Sequence, residues 1–151
     1  MCGIVGYIGK SDGQKFVLNG LEKLEYHGYD SSGIVTVSDN RLHLTKKKGR
    51  LQDLRDELEQ HPLRGHLALG HTRWATHGAP SDVNAHPHTD EKSEFAIVHN
   101  GIIENYMELK HDLQEKGHHF LSDTDTEVIA HLLAEYDTAD QIGRASCRER
   151  V

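Results

Sequence analysis

No apolar run among the 151 residues approaches the ~20 that a membrane-spanning helix needs. The longest early one, Ile4 to Ile8, is broken by Gly6 and has no basic flank, so a secretory signal is not expected either. Basic residues are outnumbered, 17 Lys and Arg against 24 Asp and Glu, for a net charge of −7. Such a surface offers no general attraction to nucleic acid or to an anionic membrane. The short run Lys46-Lys47-Lys48 reads as a solvated strand end rather than a phosphate site. Cysteine is scarce, with only Cys2 and Cys147. Nothing else points to secretion, so a reducing, cytoplasmic setting is expected rather than a disulfide. Proline appears three times and tryptophan once, as Trp74. No segment has the proline content of a linker, and the length suits one domain.

What is present is a mixed series of strand and helix signals. Cys2 to Gly9 reads as a glycine-rich buried strand, and Phe16, Val17, Leu21 and Leu24 as one helical face with Gly20 inside it. Gly33 to Ser38 and Arg41 to Lys46 form a predicted hairpin around Asp39-Asn40. Leu51, Leu54 and Leu58 mark a short amphipathic helix ending before Pro62. Leu67 and Leu69 alternate with small residues in a further strand. The polar stretch from His71 to Glu94 is too long for a plain connector and is the kind of loop that carries function. Phe95 to His99 reads as a buried strand running into Asn100-Gly101. Asn105 is a cap for a helix bearing Tyr106, Leu109 and Leu113 and closed by Gly117. Thr124 with Glu127 reads as a capping box opening a helix with Val128, Ile129, Leu132 and Leu133. This order favours an α+β fold over a doubly wound parallel sheet. The final residues, 142–151, break the pattern: three arginines follow a strongly acidic chain, with no apolar period. They resemble the read-through of a sequencing adapter and are expected to be non-native, which leaves residues 1–141 as the domain.

A cysteine directly behind the initiator methionine becomes residue one once that methionine is removed. Thiol and α-amine then belong to the same residue, and an amine partly unprotonated near neutral pH can take the thiol proton. Position alone is a weak signal, but Cys2 heads a series of separated blocks: CGIVG, LEYHGYDSSG from Leu24, HTRWATHG from His71, NAHPH from Asn84, VHNGIIEN from Val98 and SDTDTEV from Ser122. In order and register these resemble the glutaminase domain of the glucosamine-6-phosphate synthase family, the isomerizing glutamine–fructose-6-phosphate aminotransferases. Those are class II, N-terminal-nucleophile amidotransferases. The resemblance runs from Cys2 to about Tyr136. The related amidophosphoribosyltransferases share the early cysteine and the Asn-Gly. Gly28-Tyr29-Asp30 and Thr72-Arg73-Trp74 are similar to the hexosamine enzyme instead.

The resemblance implies that Cys2 attacks the side-chain carboxamide of glutamine, with Asn100 and the backbone N–H of Gly101 holding the oxyanion. Alone, Asn-Gly reads equally as a hairpin turn. It further implies that Arg73 binds the glutamine α-carboxylate as a bidentate fork and Asp125 its α-ammonium, with Thr76 and His77 lining the pocket. Asp125 could instead serve only a helix start. Trp74 is implied to lie on the ammonia path; alone it reads as packing. One departure stands out. His27 occupies the position where the family has an arginine, and a shorter, largely neutral side chain cannot replace a guanidinium fork.

The thirteen histidines, with His71/His77, His86/His88 and His118/His119 as pairs, show no recognisable Cys/His zinc spacing, so neither a metal nor another cofactor is expected. The resemblance implies an αββα four-layer sandwich of the N-terminal-nucleophile (Ntn) hydrolases, incomplete at the C-terminus and with apolar sheet surface left open. The expected function is hydrolysis of glutamine to glutamate and ammonia. The implied partners are the missing isomerase domains that bind fructose 6-phosphate, in a homo-oligomeric full-length protein. The alternatives are an inactive fragment that keeps the pocket, or the glutaminase domain of another class II amidotransferase.

Overall fold

The computed structural model describes residues 2–137; the tail at 142–151 and Cys147 lie outside the described residues. Strand β1 (Gly3–Ile8) is followed by helix α1 (Gly13–Lys23), a 3-10 turn over Glu25–His27, the hairpin β2 (Ser31–Ser38) and β3 (Arg41–Lys48), helix α2 (Leu51–Gln60) and strand β4 (Leu67–Arg73). Two-residue strands β5 (His88–Thr89) and β6 (Ala96–Ile97) then precede helices α3 (Tyr106–Glu115) and α4 (Glu127–Tyr136).

The four long strands make one antiparallel sheet in the order β1-β4-β2-β3. Its hairpin turns where expected: Asp39 and Asn40 both take positive φ, at 52° and 57°, the twist that suits a two-residue connection. Helices α1 and α2 cover one face, and the core there is Val17, Leu18, Leu21, Ile34, Leu51, Leu54, Leu58 and Ala68. Gly70 permits this packing, because a Cβ there would collide with Val17. Tyr29 ties the turn after α1 to α2: its hydroxyl accepts from the Leu51 N–H at 2.7 Å and donates to Glu25 at 2.5 Å. Burial beside that carboxylate raises the phenol to about 12.

The opposite face is approached by residues 84–88, which lead into β5, with α4 packed on β5 and β6 and α3 on α4. Gly33 makes the approach possible, since a Cβ would fall on the carbonyl oxygen of His86. Helices, sheet, partial second sheet and helices therefore stack in the expected order, as an incomplete Ntn sandwich.

Four local expectations change. Phe16 does not join the buried face of α1: it is half exposed and packs on Tyr7 at 4.5 Å, while Leu18 takes the inward position. His71, Thr72 and Arg73 belong to β4 rather than to the following loop, because their pairing with β1 and β2 continues to Arg73. The strand expected over 95–99 shrinks to Ala96–Ile97, having only β5 to pair with among the described residues. Thr124 is not the cap of α4; Thr126 is, without a side-chain bond, and Asn105 caps α3 likewise without one. Thr124 spends its hydroxyl on Ser122 and His88, and Glu127 takes the N–H groups of Leu121 and Ser122.

Candidate active site

The register of β1 on β4 builds the site. Gly3 lies opposite Thr72 and donates its N–H to the Thr72 hydroxyl at 3.0 Å, so Cys2 stands across from the end of β4. There the Trp74 N–H points at the Cys2 sulfur at 3.1 Å, a donor placed to stabilise negative charge on it. Asp30 fixes this turn. Its N–H donates to the Arg73 carbonyl at 2.7 Å, and its carboxylate accepts from Ala75 N–H at 2.5 Å and Ser31 hydroxyl at 3.0 Å. Gly28, at φ 74°, lies against the Trp74 ring. The sequence block around Gly28-Tyr29-Asp30 thus acts as a brace for residues 73–75, a role not read from the sequence. His27 ends the 3-10 turn with its ring 4.0 Å from that of Tyr26.

A cavity of about 210 Å³ opens beside the sulfur, lined by Cys2, Arg73, Trp74, Thr76, Gly101 and Asp125 among others. That volume suits a single amino acid better than a drug-sized molecule. Hollows of about 530 and 510 Å³ at the β2–β3 turn and the start of β4 are larger, but neither is lined by a cysteine. Arg73 is 3% exposed. Its Nη2 donates to the carbonyls of His77 and, at 3.1 Å, Gly78, so one arm of the expected fork is held by the protein's own backbone. The other nitrogen, Nη1, is buried with no hydrogen-bond partner among the described residues. Burial lowers the guanidinium below its ordinary pKa, while Asp30, Cys2 and Asp125 oppose the shift. Asp125 accepts from Ile103 N–H at 2.7 Å, tying residues 100–103 to the start of α4.

Of the expected residues, His77 and Asn100 are not on the cavity wall. His77 stands behind Arg73 with its ring edge-on to Tyr106 at 5.1 Å. Asn100 lies beside Cys2, donating to its backbone carbonyl at 3.0 Å. Gly101 has φ 154°, and a Cβ there would crowd the His99 ring. His71, His86, His99 and Thr126 line the cavity without having been assigned a part in it. The available signal was the cluster of histidines itself. Of the three histidine pairs noted in the sequence, His86 and His88 do meet, edge-on at 4.6 Å, while His71 stacks on His86 at 4.3 Å and His118 faces His131. Burial dominates this column, lowering His71 to about 4 and His88 to about 3, with His86 also driven down. No group of three or more metal-ligating side chains occurs among the described residues.

Comparisons with known proteins identify the family. Residues 56–144 match the family described as glutamine amidotransferase domain. The chain is similar to the isomerizing glutamine–fructose-6-phosphate aminotransferase of Aquifex aeolicus, 57% identical over 135 residues, 89% of this chain and 23% of that protein. The same enzyme of Clostridium perfringens is 54% identical over 140 residues, 93% of this chain and again 23% of the relative. The chain therefore spans under a quarter of the length of these curated relatives. Among solved structures, the glutamine phosphoribosylpyrophosphate amidotransferase of B. subtilis superposes with a TM-score of 0.75 at 28% identity, over 91% of this chain and 30% of that one. An allosteric regulatory enzyme of purine biosynthesis gives 0.77 at 29% identity, over the same shares. The cysteine at the head of β1, the cavity beside it and these matches together place the chain in the glutamine amidotransferase domain family.

Proposed function

We propose that this chain is the glutamine-hydrolysing part of an isomerizing glutamine–fructose-6-phosphate aminotransferase, with Cys2 as nucleophile. The observation that supports it most is the convergence of Cys2, Arg73, Gly101 and Asp125 on one cavity of amino-acid size. With Met1 removed, the Cys2 amine takes the thiol proton and the sulfur attacks the carboxamide carbon of glutamine. The carbonyl π pair moves to oxygen, and Asn100 with the Gly101 N–H receives that charge. When the carbonyl re-forms, the C–N bond breaks, the ammonium passes its proton to nitrogen and ammonia leaves. Water then cleaves the thioester to glutamate and restores the thiol. Arg73 Nη1 serves the substrate carboxylate and Asp125 the ammonium, with Thr76 on the wall, His77 holding Arg73 from behind and Trp74 at the ammonia exit.

The acceptor, fructose 6-phosphate, would bind domains that the chain does not contain, in a homo-oligomeric, cytoplasmic protein needing neither metal nor cofactor. No helix among the described residues is long and apolar enough to cross a membrane. Intact mass after treatment with a diazo-ketone glutamine analogue tests the reading. Loss of Met1 with one covalent addition at Cys2, blocked by glutamine, is expected. A processed chain that takes no label and releases no glutamate would sink it.

A further inference from the structure

An oxyanion donor that is a side-chain amide carries a hazard: turned end for end, it presents an acceptor where a donor is needed. The atom of Asn100 lying 3.0 Å from the Cys2 carbonyl must be the nitrogen, because a carbonyl oxygen only accepts. The amide oxygen then lies 2.7 Å from Nε2 of His71, and an oxygen there requires that Nε2 carry the hydrogen. His71 is fully buried in β4 with its ring stacked on His86. Burial keeps it neutral at neutral pH, with a single hydrogen to give. The competing tautomer would put that hydrogen on Nδ1. The His99 backbone carbonyl exerts some pull on the ring, yet Nδ1 forms no hydrogen bond of acceptable geometry among the described residues. The tautomer with hydrogen on Nε2 is therefore the one the surroundings satisfy.

We propose that His71 is a positioning residue for amide hydrolysis: its Nε2–H holds the Asn100 oxygen and so turns the NH2 group toward the nucleophile. One amide hydrogen is used on the Cys2 carbonyl and the second is left for the oxyanion. Donation into the amide oxygen also polarises the group and strengthens that second hydrogen as a donor. This inference rests on the glutaminase reading above, since it assigns a partner to that reaction's oxyanion donor.

The test is a double-mutant cycle on glutamine hydrolysis by the processed chain, with a thermal melt taken on every variant. His71→Leu removes the donor and is expected to lower kcat about 10- to 100-fold, below the ~10²–10³ of losing an oxyanion donor outright, with KM changed less than about twofold. His71→Gln, which keeps an N–H at similar reach, is expected to recover most of that loss. In an Asn100→Ala background, His71→Leu is expected to add nothing. Unchanged kcat in a folded His71→Leu, a Gln variant as impaired as Leu, or losses that multiply in the double variant would each overturn the proposal. Imidazole nitrogen NMR on the wild-type chain decides it independently of folding: hydrogen on Nε2 supports it, and hydrogen on Nδ1 overturns it. If the wild type neither turns over nor takes the diazo-ketone label, the glutaminase reading fails, while the tautomer measurement still decides the Asn100 orientation.

Discussion

Arg73 lines the cavity, as the sequence led us to expect, but its side chain is held differently. A bidentate fork was expected, but Nη2 is committed to the His77 and Gly78 carbonyls, leaving Nη1 for a carboxylate. Arg73→Lys offers a single ammonium that cannot serve both, so KM for glutamine should rise about 10- to 100-fold, the equivalent of ~1.5–3 kcal/mol for a charged hydrogen bond. Steady-state kinetics checks this; a KM within twofold of wild type would remove Arg73 from the substrate's carboxylate end.

The histidine column sets the acid limit of the fold. His71 at about 4 and His88 at about 3 lie below the ordinary ~6.5, so on acidification the unfolded chain takes up protons first. Their contribution is complete above pH ~6.5 and is lost as pH falls toward these folded values, by up to ~1.4 kcal/mol per pH unit for each histidine. Glu127 acts with the same sign lower down. Its bonds to His131, Ser122 and Leu121 hold it at about 2, so its contribution is present above ~4.5 and lost as pH falls through about 2. Urea midpoints measured from pH 7 to 4 should fall steadily. A flat profile would show that the column is not buried as described.

Among the elements, the decisive contact is between β2 and residues 84–88. Gly33 leaves the space in which the His86 carbonyl lies on the sheet, and His86 there stacks on His71. Gly33→Ala must displace backbone rather than a flexible side chain, so destabilisation above ~2 kcal/mol is expected, with slower labelling of Cys2. A denaturation midpoint and a thiol-labelling rate both at wild-type values would contradict it. The elements were legible where one local signal governed them. Leu51, Leu54 and Leu58 share a buried face, and Asp39-Asn40 supplies the turn. They were misread where a tertiary partner outbid the local signal. Thr124 is drawn from its capping role by His88, 36 positions away, and Phe95 to His99 shortens because among the described residues it has only β5 to pair with.

At the scale of the whole molecule, the pairing register puts Ile4, Ile8, Leu67, Leu69, Val37, Leu42 and Leu44 on the sheet face away from α1 and α2. Among the described residues, Ile8 is 72% exposed, and Ile4 and Leu67 are also open. β1 is an edge strand beside them. An open apolar face next to an unpaired edge favours association. The 151-residue chain should therefore sediment as a concentration-dependent mixture, and Ile8→Lys should reduce association without lowering the melting temperature by more than a few degrees. A monodisperse monomer with a cooperative melt would overturn this.

The sequence by itself determined the family and put forward Cys2 and the residue types round it, because those blocks keep their order and spacing whatever packs against them. It also determined the α+β class, since strand and helix periods are local properties. Only the tertiary structure decided that Asp30 braces residues 73–75, that one arm of Arg73 is already committed, and that His71 and His86 stack beside the cavity. Each of these depends on which atoms meet across the β1–β4–β2 register and on what burial does to their charge. Neither is written in the spacing of a motif.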